Sequence, residues 1–315
     1  MPHDLLQQAL ASLTYTKPPE DLYAPIDYIL RLGGKRMRPL LCLMSYQLFK
    51  DDPQTILRPA LATEVFHNFT LLHDDIMDKA PLRRGQPTAH EKWDTNTALL
   101  SGDVMLVKAY DLLLDVPDHQ LREVLLRFNR CATEVCEGQQ YDMSFEERDA
   151  VSLDEYIQMI RLKTAVLLGF ALRLGGILAD AQTDTCHQLD ALGVAAGIGF
   201  QIQDDLLDVY ADPQKFGKQV GGDILENKKT YLRLTAQSLA DAPTLAALQA
   251  DYPTPAQKIQ AVREIYDRLG VREQATAAMQ GYFREAFGIL DRIPVAKARK
   301  EALHHLLHQL SQRDH

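Results

Sequence analysis

Two short runs in this 315-residue chain carry side chains that could do chemistry together: His73-Asp74-Asp75-Ile76-Met77-Asp78 and Gln203-Asp204-Asp205-Leu206-Leu207-Asp208. In each run the first and last aspartates are four residues apart, which on a helix places them about 40° apart on one face, one turn above the other. Like charges in that register repel, and aspartate is a poor helix former beyond the first turn. Such an arrangement is explained by a hard divalent cation. Mg²⁺ takes oxygen ligands, commonly one or two carboxylates, with waters and phosphate oxygens completing the octahedron. Two such patches facing each other across a cavity would hold a diphosphate through bridging metal. A solvated acidic helix end is the bland reading of either run alone. It does not account for the recurrence, each time after an apolar helix and before a loop bearing glycine and cations.

Those cations are the second half of the pattern. Lys35, Arg36, Arg38, Arg83, Arg84, Lys218, Lys228 and Lys229 lie in loops adjoining the aspartate runs, and Lys163 sits on a helix beside Thr164. Guanidinium forks match phosphate oxygens in bidentate geometry, lysine adds a point charge, and Gly33 and Gly34 let backbone approach an anion closely. Any one of these cations would ordinarily be a solvated surface charge. Together they predict two anion sites, one bridged by metal and one held directly by Arg and Lys.

The elements that must position these groups read as helices. From Thr55 to Ala80 the apolar residues Leu57, Leu61, Val65, Phe66, Phe69, Leu72 and Ile76 recur every three or four positions, the mark of a helix with a buried face. Similar patterns cover roughly 36–49, 94–116, 119–143, 153–179, 184–211, 229–240, 254–268, 271–291 and 294–312. Ser152 with Glu155 predicts a capping box, and Pro59 an early-turn proline. The small-residue stretch Gly193-Val194-Ala195-Ala196-Gly197-Ile198-Gly199 predicts close helix packing near the second aspartate run. No fixed-period repeat and no Pro/Gly/Ser linker divides the chain, so residues 1–315 read as one all-α domain of about ten long helices.

Composition narrows the function classes. At 46% hydrophobic and 24% charged residues the chain is globular, which excludes disorder. A formal net charge of -9 repels nucleic acid and anionic lipid, so an anionic partner needs local cations or metal. Six of the acids responsible are the aspartates of the two runs. Cys42, Cys131, Cys136 and Cys186 form no C-x-x-C pair, which fits a reduced cytoplasmic protein. No signal-like core opens the chain and no apolar run reaches a membrane span. P-loop, Rossmann, zincin and nucleophile-elbow motifs are all missing from the sequence.

Over nearly its whole length, from about Tyr23 to the last helix, the sequence resembles the trans-isoprenyl diphosphate synthases, the polyprenyl synthetases. The resemblance is carried by Gly33-Gly34-Lys35-Arg36-Met37-Arg38-Pro39, Phe66-His67-Asn68-Phe69, the two aspartate runs, Arg83-Arg84-Gly85, Lys163-Thr164 and Gly199-Phe200-Gln201. It implies an all-α isoprenoid-synthase bundle around a deep central cavity, a homodimer, and three Mg²⁺ per active site bridging the allylic diphosphate. It also implies the metal ligands Asp74, Asp78, Asp204 and Asp208, supported by Asp75 and Asp205. Gly34, Lys35, Arg38, His67 and Arg84 would bind isopentenyl diphosphate. Arg83, Lys163, Thr164, Gln201, Lys218 and Lys228 would contact the allylic diphosphate, with Lys228 chosen over Lys229. His67 alone reads as a core histidine, and its role rests on the resemblance.

The reaction implied is a head-to-tail condensation by ionisation, attack and proton loss. Product length would be set by residues that block the apolar tunnel. Phe66, Phe69 and Thr70 lie at i, i+3 and i+4, on a stripe running back from Asp74, with Phe69 roughly 7.5 Å and Phe66 roughly 12 Å away along the axis. An aromatic at position 69, threonine at 70 and no insertion in the first run resemble geranylgeranyl (C20) more than farnesyl (C15) synthases. Phe66 is the alternative floor, and both phenylalanines could be plain core. A terpene cyclase would mix Asn, Ser or Thr with Glu in the second run, and head-to-head synthases use D-x-x-x-D. A regulatory subunit would be expected to lack some of these acids or cations, and none is missing here.

Overall fold

The helix that carries the first aspartate run, α4, spans Leu57–Met77 and is buried on most of its circumference. It follows α1 (Pro2–Ser12), α2 (Glu20–Arg31), α3 (Met37–Gln47) and a 3₁₀ turn at Pro53–Ile56. The computed structural model describes residues 2–211 and 220–313. These form two compact units. The first comprises Met1–Arg130, Phe170–Asp190 and Pro294–Lys300, the second Cys131–Gly169, Ala191–Ile293 and Glu301–His315.

In the first unit α4 packs chiefly against α6 (Thr95–Leu113), and also against α1, α2 and α3. Leu61, Val65, Phe66 and Leu72 are almost fully removed from water, which makes this helix the hydrophobic axis of the unit. Glu64, Asn68 and Asp75 are buried on the same helix, so polar chemistry is held inside an apolar frame. After α4 the chain turns sharply at Lys79 (φ 50°) into an antiparallel hairpin, β1 (Leu82–Arg83) with β2 (Gln86–Pro87). Arg84 (φ 54°) and Gly85 (φ 73°) occupy its two-residue turn, the left-handed pair that matches strand twist. A short α5 (Ala89–Lys92) leads into α6.

Helix α7 (Asp118–Glu147), α9 (Val166–Leu178) and α10 (Thr183–Tyr210) each supply residues to both units. The predicted 153–179 helix is interrupted: α8 (Leu153–Ile160) passes into a π-helical turn at Arg161–Ala165 before α9. A Cβ on Gly138 would lie 2.2 Å from the backbone nitrogen of Lys163, so α7 approaches that turn too closely for any side chain at 138. The capping box forms as expected, with the Glu155 N–H donating to Ser152 Oγ at 3.2 Å and the Ser152 N–H to Glu155 Oε2 at 2.8 Å.

In the second unit α10 presses its small residues onto its neighbours: a Cβ on Gly193 would meet Gly169 at 2.6 Å, and one on Gly197 would meet Ala165 at 2.6 Å. The sequence expectation of tight packing before the second aspartate run thus holds. The remaining helices are α11 (Gly222–Leu225), α12 (Tyr231–Leu239), α13 (Ala242–Gln249), α14 (Pro255–Arg268), α15 (Val271–Arg292) and α16 (Lys297–Ser311). The fold is all-α as expected, the hairpin being the sole sheet among the described residues. No helix among the described residues is long and apolar enough to cross a membrane.

Candidate functional site

At the end of α4 the three aspartates divide by direction. Asp75, one residue and about 100° round the helix from Asp74, points inward and is 2% exposed. Its two carboxylate oxygens accept from Arg83 Nε at 2.8 Å each, and Arg83 Nη2 adds a contact to Oδ1 at 2.7 Å. Burial raises the Asp75 carboxyl above its ordinary range, and Arg83 opposes that shift. Asp74 is half-buried, with Oδ2 3.5 Å from Arg83 Nη2. Asp78 is the exposed C-cap, its N–H donating to the Asp74 carbonyl at 2.9 Å. Arg83, expected on substrate, is therefore placed by the structure on Asp75 and Asp74.

The hairpin tip brings Arg84 to the glycines before α3. Arg84 Nη1 donates to the Gly33 carbonyl, and a Cβ on Gly34 would lie 2.9 Å from the Arg84 guanidinium. Gly34 has φ 127°, so position 34 requires glycine for both conformation and space. Lys35 beside it is exposed, and Arg38 is half-buried on the first turn of α3. Arg36 turns inward instead. It is 6% exposed, and its Nη1 donates to Glu64 Oε1 at 2.6 Å and its Nη2 to the Leu30 carbonyl at 2.5 Å. Asn68 Nδ2 also donates to Glu64, at 3.0 Å to the carboxylate. His67 is held well below its usual range, first by burial and then by Arg38, Arg84, Arg83 and Arg36. Burial and the charge of these four guanidiniums, two from the start of α3 and two from the hairpin, favour its neutral form.

The second unit repeats the division of labour. Asp205, again the middle acid, is 4% exposed; it accepts from the Tyr156 hydroxyl at 2.5 Å and the Tyr231 N–H at 2.9 Å. Burial, helped by nearby Asp223, pushes its carboxyl up to about 7. Asp208 accepts the Asp223 N–H at 3.1 Å and is likewise raised by burial. Asp223 is pushed up to about 6 by burial and by Asp208. Sequence reasoning passed over Asp223; its signal was a fourth acid in the Gly221-Gly222-Asp223 turn following the second run.

Lys163 lies in the π turn with Nζ 2.7 Å from Asp142 Oδ2. Thr164 Oγ1 donates to Gln201 Oε1 at 3.3 Å, and Gln201 Nε2 to Asp205 Oδ1 at 3.5 Å, so these expected partners form one chain of contacts. Lys228 Nζ reaches Glu226 at 3.2 Å, whereas Lys229 Nζ is turned to the Phe145 carbonyl at the end of α7. Lys218 lies outside the described residues. A residue the sequence did not single out completes the cluster: Arg313 pairs with Asp204, its carbonyl accepts from Gln203 Nε2 at 3.2 Å, and its guanidinium lies 4.3 Å from the centre of the Phe200 ring.

Among the described residues no three or more His, Cys, Asp or Glu side chains converge as a metal cage. The donor sets fit Mg²⁺, which asks only one or two carboxylates of a protein. Each helix end offers aspartate oxygens without histidine or cysteine. The carboxyls of Asp205, Asp208 and Asp223 are raised first by burial, with Asp223 acting on Asp205 and Asp208 on Asp223, and a bound cation would favour their ionised forms.

Of the expected length-setting residues, Phe66 is 0% exposed, enclosed by Phe69 at 5.6 Å and Phe128 at 5.1 Å between ring centres. Phe69 retains 8% exposure, and Thr70 is half-buried on the face of Asp74. Phe66 is thus core, and Phe69 is the aromatic left at the edge of it.

The model of the family described as polyprenyl synthetase matches residues 19–269. The chain is 40% identical over 234 residues, 74% of its length and 73% of the other's, to a geranylgeranyl pyrophosphate synthase of Geoglobus acetivorans. It is 36% identical over 282 residues, 84% and 82% of the two chains, to a geranylfarnesyl diphosphate synthase of Natronomonas pharaonis. A crystal structure of a geranylgeranyl pyrophosphate synthase superposes with a TM-score of 0.95 at 42% identity, covering 100% of this chain and 99% of the other.

Proposed function

This chain belongs to the polyprenyl synthetase family, and we propose that it is a prenyltransferase that condenses isopentenyl diphosphate with an allylic diphosphate, geranylgeranyl diphosphate being the favoured product. In the reaction the allylic C–O bond breaks and diphosphate departs with the electron pair. The double bond of isopentenyl diphosphate attacks the allylic carbon, and loss of a proton restores an allylic diphosphate five carbons longer. Mg²⁺, when bound, supplies Lewis-acid stabilisation of the departing diphosphate. Asp74 and Asp78 would hold it in the first unit, Asp204 and Asp208 in the second.

The observation that carries this reading is the pair of hairpin arginines, Arg83 on Asp75 and Asp74 of α4 and Arg84 on the Gly33-Gly34 loop, whose charge acts with that of Arg36 and Arg38 on His67. A site dense in Arg, glycine-lined and adjacent to hard oxygen donors binds a diphosphate and a divalent cation together. Arg38, Arg84, Lys35 and the backbone at Gly34 would grip isopentenyl diphosphate, with Arg36 and Glu64 fixing the loop. In the second unit the Lys163 backbone carbonyl, the Thr164 hydroxyl oxygen and the Gln201 amide oxygen would place partial negative charge near the allylic cation, while the ammonium groups of Lys163 and Lys228, together with Lys218, would contact the allylic diphosphate. Preorganised charge of this kind is the main source of rate in such an ionisation.

Phe69 with Thr70 supports C20, the product named for the Geoglobus relative. The other product length represented among the relatives cited is the longer geranylfarnesyl. We read residues 1–315 as one polyprenyl synthetase domain acting as a homodimer. Its exposed Leu100, Val107 and Leu114 recur at seven-residue spacing along and just beyond α6, with Leu126 exposed on α7, an apolar stripe suited to a second copy. The free thiols of Cys42, Cys131, Cys136 and Cys186 fit a reducing cytoplasm.

Incubation with Mg²⁺, isopentenyl diphosphate and each allylic primer from C5 to C15, followed by chromatography, tests the reading. Linear C20 diphosphate is expected. Hydrocarbon release would make the chain a cyclase, and absence of turnover with every primer a regulatory subunit.

A further inference from the structure

We infer that His73 and Gly102 set product length, by fixing where the Phe69 ring stands. Gly102 is buried on α6 in ordinary helical backbone, so its glycine serves space and not conformation. A Cβ there would lie 2.2 Å from His73 Nε2 and 2.5 Å from its Cδ2, closer than any side chain permits. The imidazole fills this notch and donates Nε2–H to the Leu99 carbonyl at 3.1 Å, one turn earlier on the same helix. Its other side meets Phe69 edge-to-face, with ring centres 4.7 Å apart. Phe69 in turn rests on Phe66, and Phe66 on Phe128.

The Phe69 ring is therefore clamped between a fully buried aromatic core and a histidine whose own position is dictated by the missing side chain at 102. A wall held on both sides resists a growing prenyl chain, because displacing packed atoms is costly. His73 and Gly102 act through Phe69 and are positioning residues. The inference rests on Phe69 being the length-setting residue.

The geometry gives the two substitutions opposite signs. Gly102→Ala drives the imidazole out of its notch toward Phe69, narrowing the pocket and shortening the product. His73→Ala removes the backing of Phe69, lets the ring swing back and lengthens the product. In the double variant the new methyl refills part of the vacated space, and product length returns toward wild type. The experiment measures the distribution of C15, C20 and C25 diphosphates made by the full-length Gly102→Ala, His73→Ala, double and Phe69→Ala enzymes. Each single substitution is expected to change the ratio of neighbouring products at least threefold, in the stated direction. A merely structural role would lower yield and thermal stability without moving that ratio. If Phe69→Ala lengthens the product while the His73 and Gly102 variants keep the wild-type ratio, the inference is overturned and the Phe69 reading stands. An unchanged ratio in Phe69→Ala removes the reading itself. Should His73→Ala make no product, Gly102→Ala and His73→Asn decide by the same ratio, a wild-type distribution from both overturning the inference.

Discussion

The Tyr156 hydroxyl donates to Asp205 at 2.5 Å in the interior of the second unit, and the Tyr231 N–H donates to the same carboxylate. Asp205 is thereby a girder: it ties α10 to α8 and to the start of α12. Tyr156→Phe leaves a buried carboxylate short of one partner, which destabilises by about 1–3 kcal/mol. Thermal unfolding should show the loss, and turnover should fall because Gln201 and the second aspartate run share that carboxylate's neighbourhood. Full stability in Tyr156→Phe would contradict this role.

The inward and outward aspartates separate in two measurements. Asp74→Ala removes a half-buried oxygen donor and should lower turnover by about 10²–10³-fold or more with little change in melting temperature. Asp75→Ala strips Arg83 of its bidentate partner and should lower both. A catalytically competent Asp74→Ala enzyme in Mg²⁺ would sink the proposed chemistry.

Arg36 and Glu64 form a buried pair at 2.6 Å, with side chains 5% and 3% exposed. Breaking such a pair from one side is strongly destabilising, about 3–5 kcal/mol. Because Arg36 sits at φ 48° as the residue before α3, the Gly33-Gly34-Lys35 loop loses its anchor as well. Glu64→Ala should therefore unfold at markedly lower denaturant concentration. In whatever folded fraction remains, it should show a raised KM for isopentenyl diphosphate more than a lowered affinity for the allylic primer.

Glu155 is held down to about 2 by the Ser152 N–H, with Arg148 and the Ser152 hydroxyl assisting. A depressed acid contributes stability that is fully present above its unfolded value of 4.5 and is lost as pH falls toward 2. Glu155→Gln should therefore flatten the dependence of stability on pH between about 4.5 and 2, and leave the trend above pH 5 unchanged. Urea midpoints measured at several pH values would read this slope.

What the sequence made legible was what periodicity and local spacing encode. The aspartate runs, the Ser152–Glu155 box and the Gly193–Gly199 packing stripe all depend on residues within one or two helical turns. The split inside each aspartate run was also within reach, since adjacent helical residues face about 100° apart and cannot both line one site. A lone Glu64 in the apolar run from Leu61 to Phe66 was the signal for the Arg36 anchor. Other features depend on contacts distant in the chain. The π turn at Arg161–Ala165 lies against Gly138 of α7, and the His73 notch depends on a glycine 29 positions away. Composition carries no trace of either.

Arg313 on Asp204 is the longest-range of these contacts, and it makes a prediction about metal. Its guanidinium is already a cation on a proposed metal ligand, held over the face of Phe200, while Gln203 donates to the Arg313 backbone carbonyl. A divalent ion that uses Asp204 must displace or share that contact. Arg313→Ala should therefore raise the affinity of the substrate-free protein for Mn²⁺, used as a spectroscopic stand-in for Mg²⁺. The gain expected is that of a partly exposed ion pair, about two- to five-fold. Asp204→Asn should lower the affinity in the same titration, since the pair and the ligand disappear together. Equal Mn²⁺ affinity in wild type and Arg313→Ala would mean that the ion does not compete for Asp204, and would remove this aspartate from the proposed metal set.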